Sequence, residues 1–345
     1  MHHIQKPVFS GYYNTGHCQG IALDPVRQYI YYSFTTAIVK TDWEGNLIGS
    51  AYGLLGHLGC IDFCDTDGRV YGSLEYKNDA IGRGILARLG KDAVEDAFYI
   101  AIFDVDKLDR PNMDAVADGI MTAVWLRDVV EDYKAILPDG TAHRYGCSGI
   151  DGLTVAPAFG GSAADACVYV AYGIYGDVNR TDNDHQVILC YDRASLAGYA
   201  KPIRQDAMHK SGPAGPEHKY FVYTGNTVYG VQNLEYDAAS GNFFLCVYTG
   251  QKPAFPNPPL FVVDGHKMPV VQPLTGLTES GETLSLTADT GLAGLAFPHG
   301  STGFYAYGDG QFAVSIDGHA PEGYYTNVVP YRYNNSVDGA FVAAE

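Results

Sequence analysis

Short apolar runs alternate with polar positions along most of the chain, and five times they follow one order. Each unit opens on a small residue and an aliphatic one. The five openings are Gln19-Gly20-Ile21-Ala22-Leu23-Asp24, Gly59-Cys60-Ile61-Asp62-Phe63, Asp151-Gly152-Leu153-Thr154-Val155, Gln232-Asn233-Leu234-Glu235-Tyr236-Asp237 and Ala293-Gly294-Leu295-Ala296-Phe297. A second run follows at 29–34, 69–74, 168–172, 243–248 and 304–307, and a third ends on Asp42, Asp106, Asp192, Asp264 and Asp317. Alternating runs closed by turn residues predict antiparallel strands, and an aspartate after a strand accepts the backbone N–H groups of a tight turn. A more variable fourth run follows in several units, as at 123–133 and 219–223, although 111–135 also has the composition of a helix.

Four short strands repeated around an axis is the pattern of a β-propeller. The expected fold is therefore all-β: a five-bladed β-propeller with four-stranded blades around a central channel, a single domain over residues 1–345. The run at 8–13 or the one at 324–333 would supply the strand that closes the ring. The first and fifth units are short, and the three between them carry extra length, much of it at 75–96, 173–185 and 249–259. In a propeller these second-to-third-strand loops share a face with the entrances to the innermost strands. Function concentrates in loops mounted on a rigid scaffold, so that face is the expected site.

The residues placed there have catalytic character. His17, in Gly16-His17-Cys18-Gln19-Gly20, and His57, in Gly56-His57-Leu58-Gly59-Cys60, hold matching positions in neighbouring units. Side by side at a channel mouth they could share a proton or a metal, or do no more than hydrogen-bond the backbone at a blade junction. Glu75 and Asp151 form a carboxylate pair across adjacent blades, suited to acid–base work or to a divalent ion, calcium or zinc. Gln19, Tyr76, Lys77, Arg83, Arg180, Gln232, Asn233 and Lys252 are the expected substrate contacts, with Asp309 and Gln311 nearby. The acidic stretch 177–184 lacks the glycine and terminal glutamate of an EF-hand and reads as a polar loop. No nucleophile elbow, phosphate-cradling loop or dinucleotide fingerprint occurs.

Charge narrows the partners. Lys and Arg number 22 against 39 Asp and Glu, a net charge of −17. That balance opposes phosphate neutralisation, so neither nucleic acid nor anionic lipid is an expected partner. No apolar run is long enough to span a membrane. Most of the seven cysteines lie in apolar strand-like runs and are expected to be reduced core residues. With no apolar leader at the start, a cytoplasmic location is expected.

The openings Cys18-Gln19-Gly20-Ile21 and Gln232-Asn233-Leu234-Glu235, in a count of five, resemble those of the plant-type glutaminyl cyclase-like propellers. The resemblance implies five blades, a site at the channel mouth and a ligand contact at Gln19. That family carries a catalytic glutamate in its second opening, where this chain has Leu58-Gly59-Cys60-Ile61. A looser likeness is to propeller-fold polysaccharide lyases and glycosidases, which use histidine, tyrosine and arginine at one mouth. The expected function is a carbohydrate-active enzyme, hydrolase or lyase, acting on a small oligosaccharide. His57 and His17 would be base and acid, and Glu75 or Asp151 would orient them or bind the ion. The alternatives are a non-catalytic propeller that binds a ligand or partner protein through the same face, and an aminoacyl cyclotransferase in which Glu75 supplies the missing carboxylate.

Overall fold

Five sheets stand side by side around a central channel, each contributing its first strand to the channel wall. The computed structural model describes residues 2–161, 166–205, 207–334 and 339–344. The innermost strands are Gly20–Asp24, His57–Cys64, Cys147–Ala156, Thr227–Asp237 and Phe304–Ala306. Each packs against the next, and the fifth returns to the first, which makes the fold a five-bladed β-propeller.

Blade 1 continues outward through Tyr29–Ser33, Ile38–Asp42 and Leu47–Tyr52, and blade 2 through Arg69–Tyr76, Ala97–Phe103 and Met121–Trp125. Blade 3 adds Cys167–Ile174, His185–Asp192 and His218–Tyr223; blade 4 adds Asn242–Thr249 and Leu260–Val263. Neighbouring blades are also laced together at their outer edges. Met113–Asp114, from the blade 2 segment, pairs in parallel with blade 1, and Ser280–Leu284, beyond blade 4, pairs in parallel with blade 3. These additions cover edges that would otherwise expose unpaired backbone groups.

Blade 5 is built from Phe304–Ala306, Gln311–Ala320 and Gly323–Tyr333, and Val8–Phe9 pairs with its outer strand. Both expected closing segments therefore meet in one ladder, tying the start of the chain to its last blade. All ten residues of Cys147–Ala156 are buried, because an innermost strand has a blade on either side. Between blades 4 and 5 the core is aromatic, with Phe244, Phe304, Phe312 and Phe341 in mutual ring contact. All seven cysteines are buried and free.

The fifth unit departs from the expected register. Its opening, 293–297, is not a channel strand: Gly291–Ala293 is a 3-10 turn, and Leu295 bridges to Leu260 at the edge of blade 4. The innermost strand is Phe304–Ala306, one run later. Asp317 consequently lies inside Gln311–Ala320 instead of closing a strand. Asp309 and Gln311 fall in the first-to-second-strand turn, on the face opposite the mouth, where both contact His3. The run at 123–133 also divides, the strand ending at Trp125 and the helix Arg127–Lys134 following. Asp106 lies beyond the end of Ala97–Phe103. Within 75–96 the chain forms the helix Ala80–Arg88, whose first turn is capped by Asp79 Oδ1 accepting from the Gly82 N–H at 2.9 Å.

Candidate active site at the channel mouth

Three adjacent innermost strands break register at the same height. The ladders shift between Leu58 and Ile61 in blade 2, between Ile150 and Leu153 in blade 3, and between Val228 and Asn233 in blade 4. A bulge re-aims the residues it carries and is common beside active sites. Asp151 and Gln232 sit inside two of these shifts, and His57, just before the third, lies directly across the ladder from Glu75.

Together they line a cavity of about 290 Å³. Its lining includes His17, Gln19, His57, Glu75, Lys77, Asp79, Ser148, Asp151 and Gln232; the helix Ala80–Arg88 supplies Ile81, Ile85 and Arg88, and Tyr175, Tyr229, Tyr248 and Tyr324 add four aromatic rings.

Glu75 is almost wholly buried and is held at both oxygens. Oε1 lies 2.5 Å from Lys77 Nζ, and Oε2 accepts the Ile150 N–H at 3.0 Å. The carboxylate fits because residue 149 is glycine. A Cβ there would stand 2.0 Å from Glu75 Oε2, and the φ of +125° is itself one that side chains disfavour. Lys77 also donates to the Ser148 carbonyl at 2.8 Å. Burial opposes its charge, but Glu75, Asp151 and Asp79 outweigh that and hold the ammonium more firmly protonated than an ordinary lysine.

Asp151 has the opposite balance. Burial and the neighbouring Glu75 push its carboxyl up to about 7, against the pull of His57, Lys77 and Gln232. Gln232 Nε2 donates to Asp151 Oδ2 at 3.2 Å and to the Tyr229 carbonyl at 3.1 Å. His57 Nδ1 stands 3.3 Å from Glu75 Oε1 and 3.5 Å from Asp151 Oδ1, so it faces both carboxyl groups. His17 is pushed down to about 4 by burial and by the charges of His57 and Arg88, and Gln19 Nε2 lies 3.0 Å from its Nε2.

His57, Glu75 and Asp151 are the one group with metal-ligand potential among the described residues, their donor atoms lying within 4.8 Å of one another. The donor set alone would suit a divalent ion. The Lys77 ammonium, however, already stands against Glu75 and neutralises it, so a second cation there would meet repulsion at the closest ligand. As arranged, the cluster is suited to moving protons.

Of the expected site residues, His17, Gln19, His57, Glu75, Lys77, Asp151 and Gln232 share this cavity. The other five do not line it. Tyr76 is buried, with its hydroxyl donating to Gln205 Oε1 at 2.7 Å, and exposed Arg83 donates to the Asn78 carbonyl at 2.6 Å. Asn233 lies wholly buried behind the wall, donating to the Gln19 carbonyl at 3.1 Å. Arg180 is paired with Asp182, and Lys252 with Asp184, both further out along the loops. The tyrosine wall was not anticipated. Its signal was an aromatic at a mouth-side strand end, as with Tyr248 in Asn242–Thr249 and Tyr175 just after Cys167–Ile174.

No protein family and no curated protein matches this chain. Among solved structures it is similar to a GH43 β-1,3-galactosidase determined with galactodeoxynojirimycin, at 12% identity over 97% of each chain and a TM-score of 0.42. A likeness at that level assigns neither site nor activity. No helix among the described residues is long and apolar enough to cross a membrane.

Proposed function

We propose that this propeller is a carbohydrate-active enzyme of the glycoside hydrolase type, acting on a small neutral oligosaccharide at the channel mouth. One observation carries the reading: the Asp151 carboxyl, pushed up to about 7, lines the cavity with one of its oxygens no more than 4.8 Å from an oxygen of Glu75. An acid with a pKa near the working pH donates and takes back a proton efficiently.

Asp151 would protonate the glycosidic oxygen as the C–O bond breaks. Glu75, held by Lys77 and the Ile150 N–H, would bond to the anomeric carbon as it becomes electron-poor. Water would then attack that carbon, losing a proton to Asp151 and displacing Glu75. A double displacement needs carboxyl groups about 5 Å apart, and an oxygen of each lies within 4.8 Å of the other here. His57 faces both carboxyl groups and orients them. His17, low in basicity, presents a neutral ring that accepts a substrate hydroxyl or the Gln19 amide. The tyrosine wall offers ring faces to the apolar C–H face of a sugar. The net charge of −17 repels uronate polymers, which favours hydrolysis of neutral glycans over lyase chemistry.

The cavity is concave with acid–base groups converging in it, unlike the flatter face a binding module would present. A second reading, aminoacyl cyclotransfer, draws on the same Glu75, and assaying glutaminyl peptides beside the glycans separates the two. The test is turnover of a neutral glycan panel by the wild type, Asp151→Asn and His57→Ala. Asp151→Asn should lose about 100-fold or more in kcat. Absence of turnover on every glycan, or an Asp151→Asn variant as fast as the wild type, contradicts the proposal.

A further inference from the structure

We infer that a second subsite adjoins the cavity along the boundary of blades 2 and 3, where His143 and Tyr175, backed by the buried Tyr133, seat the distal units of the oligosaccharide. The inference rests on the glycoside hydrolase reading and extends it to chain length. A groove of about 480 Å³ adjoins the catalytic cavity, and the two share Asp79 and Tyr175 as wall residues. The shared wall is itself fixed, the Tyr175 hydroxyl donating to Asp79 Oδ2 at 3.2 Å.

Along this groove three rings follow one another. Tyr133 and His143 have centroids 4.8 Å apart, and His143 and Tyr175 5.0 Å. The middle ring is presented by strained backbone: His143 has φ 65° and ψ 86°, outside the regions a residue with a Cβ ordinarily adopts. Such conformations persist where the surroundings over-determine them, and they cluster at ligand-binding sites.

The surroundings here are the Tyr133 carbonyl, 2.5 Å from the His143 Nδ1, the Ala135 carbonyl, which accepts the His143 N–H at 2.9 Å, and Arg180. Its Nη1 donates to the Ala142 carbonyl and its Nη2 to the His143 carbonyl, each at 2.7 Å, while Asp182 holds the guanidinium through two bonds of 2.8 Å. Largely buried, this arginine cannot meet a sugar in the cavity; it is a positioning residue for the loop that carries His143. The remaining fittings suit a glycan. Asp96, which Asn78 holds by a bond of 3.1 Å, brings a carboxylate to the groove, and Ile136, 69% exposed, adds an apolar rim. A pyranose has one apolar C–H face for the rings and a hydroxyl edge for the carboxylates, so a chain leaving Asp151 past Tyr175 would satisfy both.

The experiment uses the full chain carrying Asp151→Asn, so that ligands survive, and titrates β-1,3- and β-1,4-linked gluco-, galacto- and xylo-oligosaccharides of increasing length by calorimetry. Affinity should rise about tenfold or more from the shortest binding saccharide to the longer ones. His143→Ala, Ile136→Glu and Arg180→Lys, each added to that background, should collapse this length ratio toward one. Ile136→Glu changes an exposed side chain and keeps the test valid if the loop variants fold poorly. Arg180→Lys keeps the charge but loses the two-carbonyl fork, so a lost ratio in a normally melting variant reports positioning. Binding without length dependence, or a ratio all three variants retain, overturns the subsite and leaves the hydrolase reading standing. If no saccharide of any length binds, both fall.

Discussion

Burial and the adjacent Glu75 raise the Asp151 carboxyl against the pull of His57, Lys77 and Gln232. Glu75 is held by a lysine and a backbone N–H, Asp151 takes a single amide donor, and His57 faces both. In this account Asp151 acts in its protonated form, so kcat/KM falls as pH rises through about 7. Gln232 stabilises the ionised form of Asp151 by its hydrogen bond. Gln232→Leu should therefore move that alkaline limb to higher pH, seen in the pH–rate profile; an unmoved or lowered limb would show that the bond does not tune the acid. Gly149→Ala tests the fit of the pair more bluntly. Its Cβ would displace Glu75 from the Ile150 N–H, so activity should fall at least tenfold, with about 1–3 kcal/mol lost in denaturant unfolding. These residue types were legible in the sequence, since His57 and Glu75 stand at strand ends facing one mouth and Asp151 opens the third repeat. Their protonation was not legible, because it depends on which neighbours the ladder register brings within hydrogen-bond distance.

Among the elements, the four innermost strands with small-residue openings were readable because a second and a third run follow each of them in the same order. The fifth was misplaced by one run. Ala293-Gly294-Leu295-Ala296-Phe297 has the opening's composition, but it packs Leu295 and Phe297 into the core between blades 4 and 5 from outside the channel. Composition alone cannot separate a buried channel strand from a buried connector. The bulges were signposted only by Gly59, Gly152 and Gly230, and the helix Ala80–Arg88 hid in what read as loop. The misplacement matters for Asp317, which lies within the strand Gln311–Ala320 instead of in a solvated turn. Burial pushes its carboxyl up to about 7, although Thr326 and the Cys18 backbone favour the charged form. A folded-state pKa above the unfolded value of about 3.9 contributes stability at low pH that is lost as pH climbs to about 7. Asp317→Asn should therefore gain in Tm relative to the wild type as pH rises from about 4 to 8. A pH-independent difference would place Asp317 in solvent.

At the scale of the whole molecule, the ring explains how so acidic a chain can hold a working pair of carboxyl groups. Much of the surplus charge sits in turns, as Asp24, Asp42 and Asp237 accept backbone N–H groups there. At the mouth, blades 2 and 3 contribute one buried carboxyl pair with Lys77 as its counter-charge. The architecture places that pair at the end of a channel whose walls are fully packed strands, giving the rigidity a preorganised site requires. The most direct measurement is a carbon-13 NMR titration of the Asp151 carboxyl, assigned by its disappearance in Asp151→Asn. The account predicts a midpoint near 7. A midpoint in the ordinary aspartate range of about 3.5–4 would contradict it and remove the proton donor from the proposed reaction.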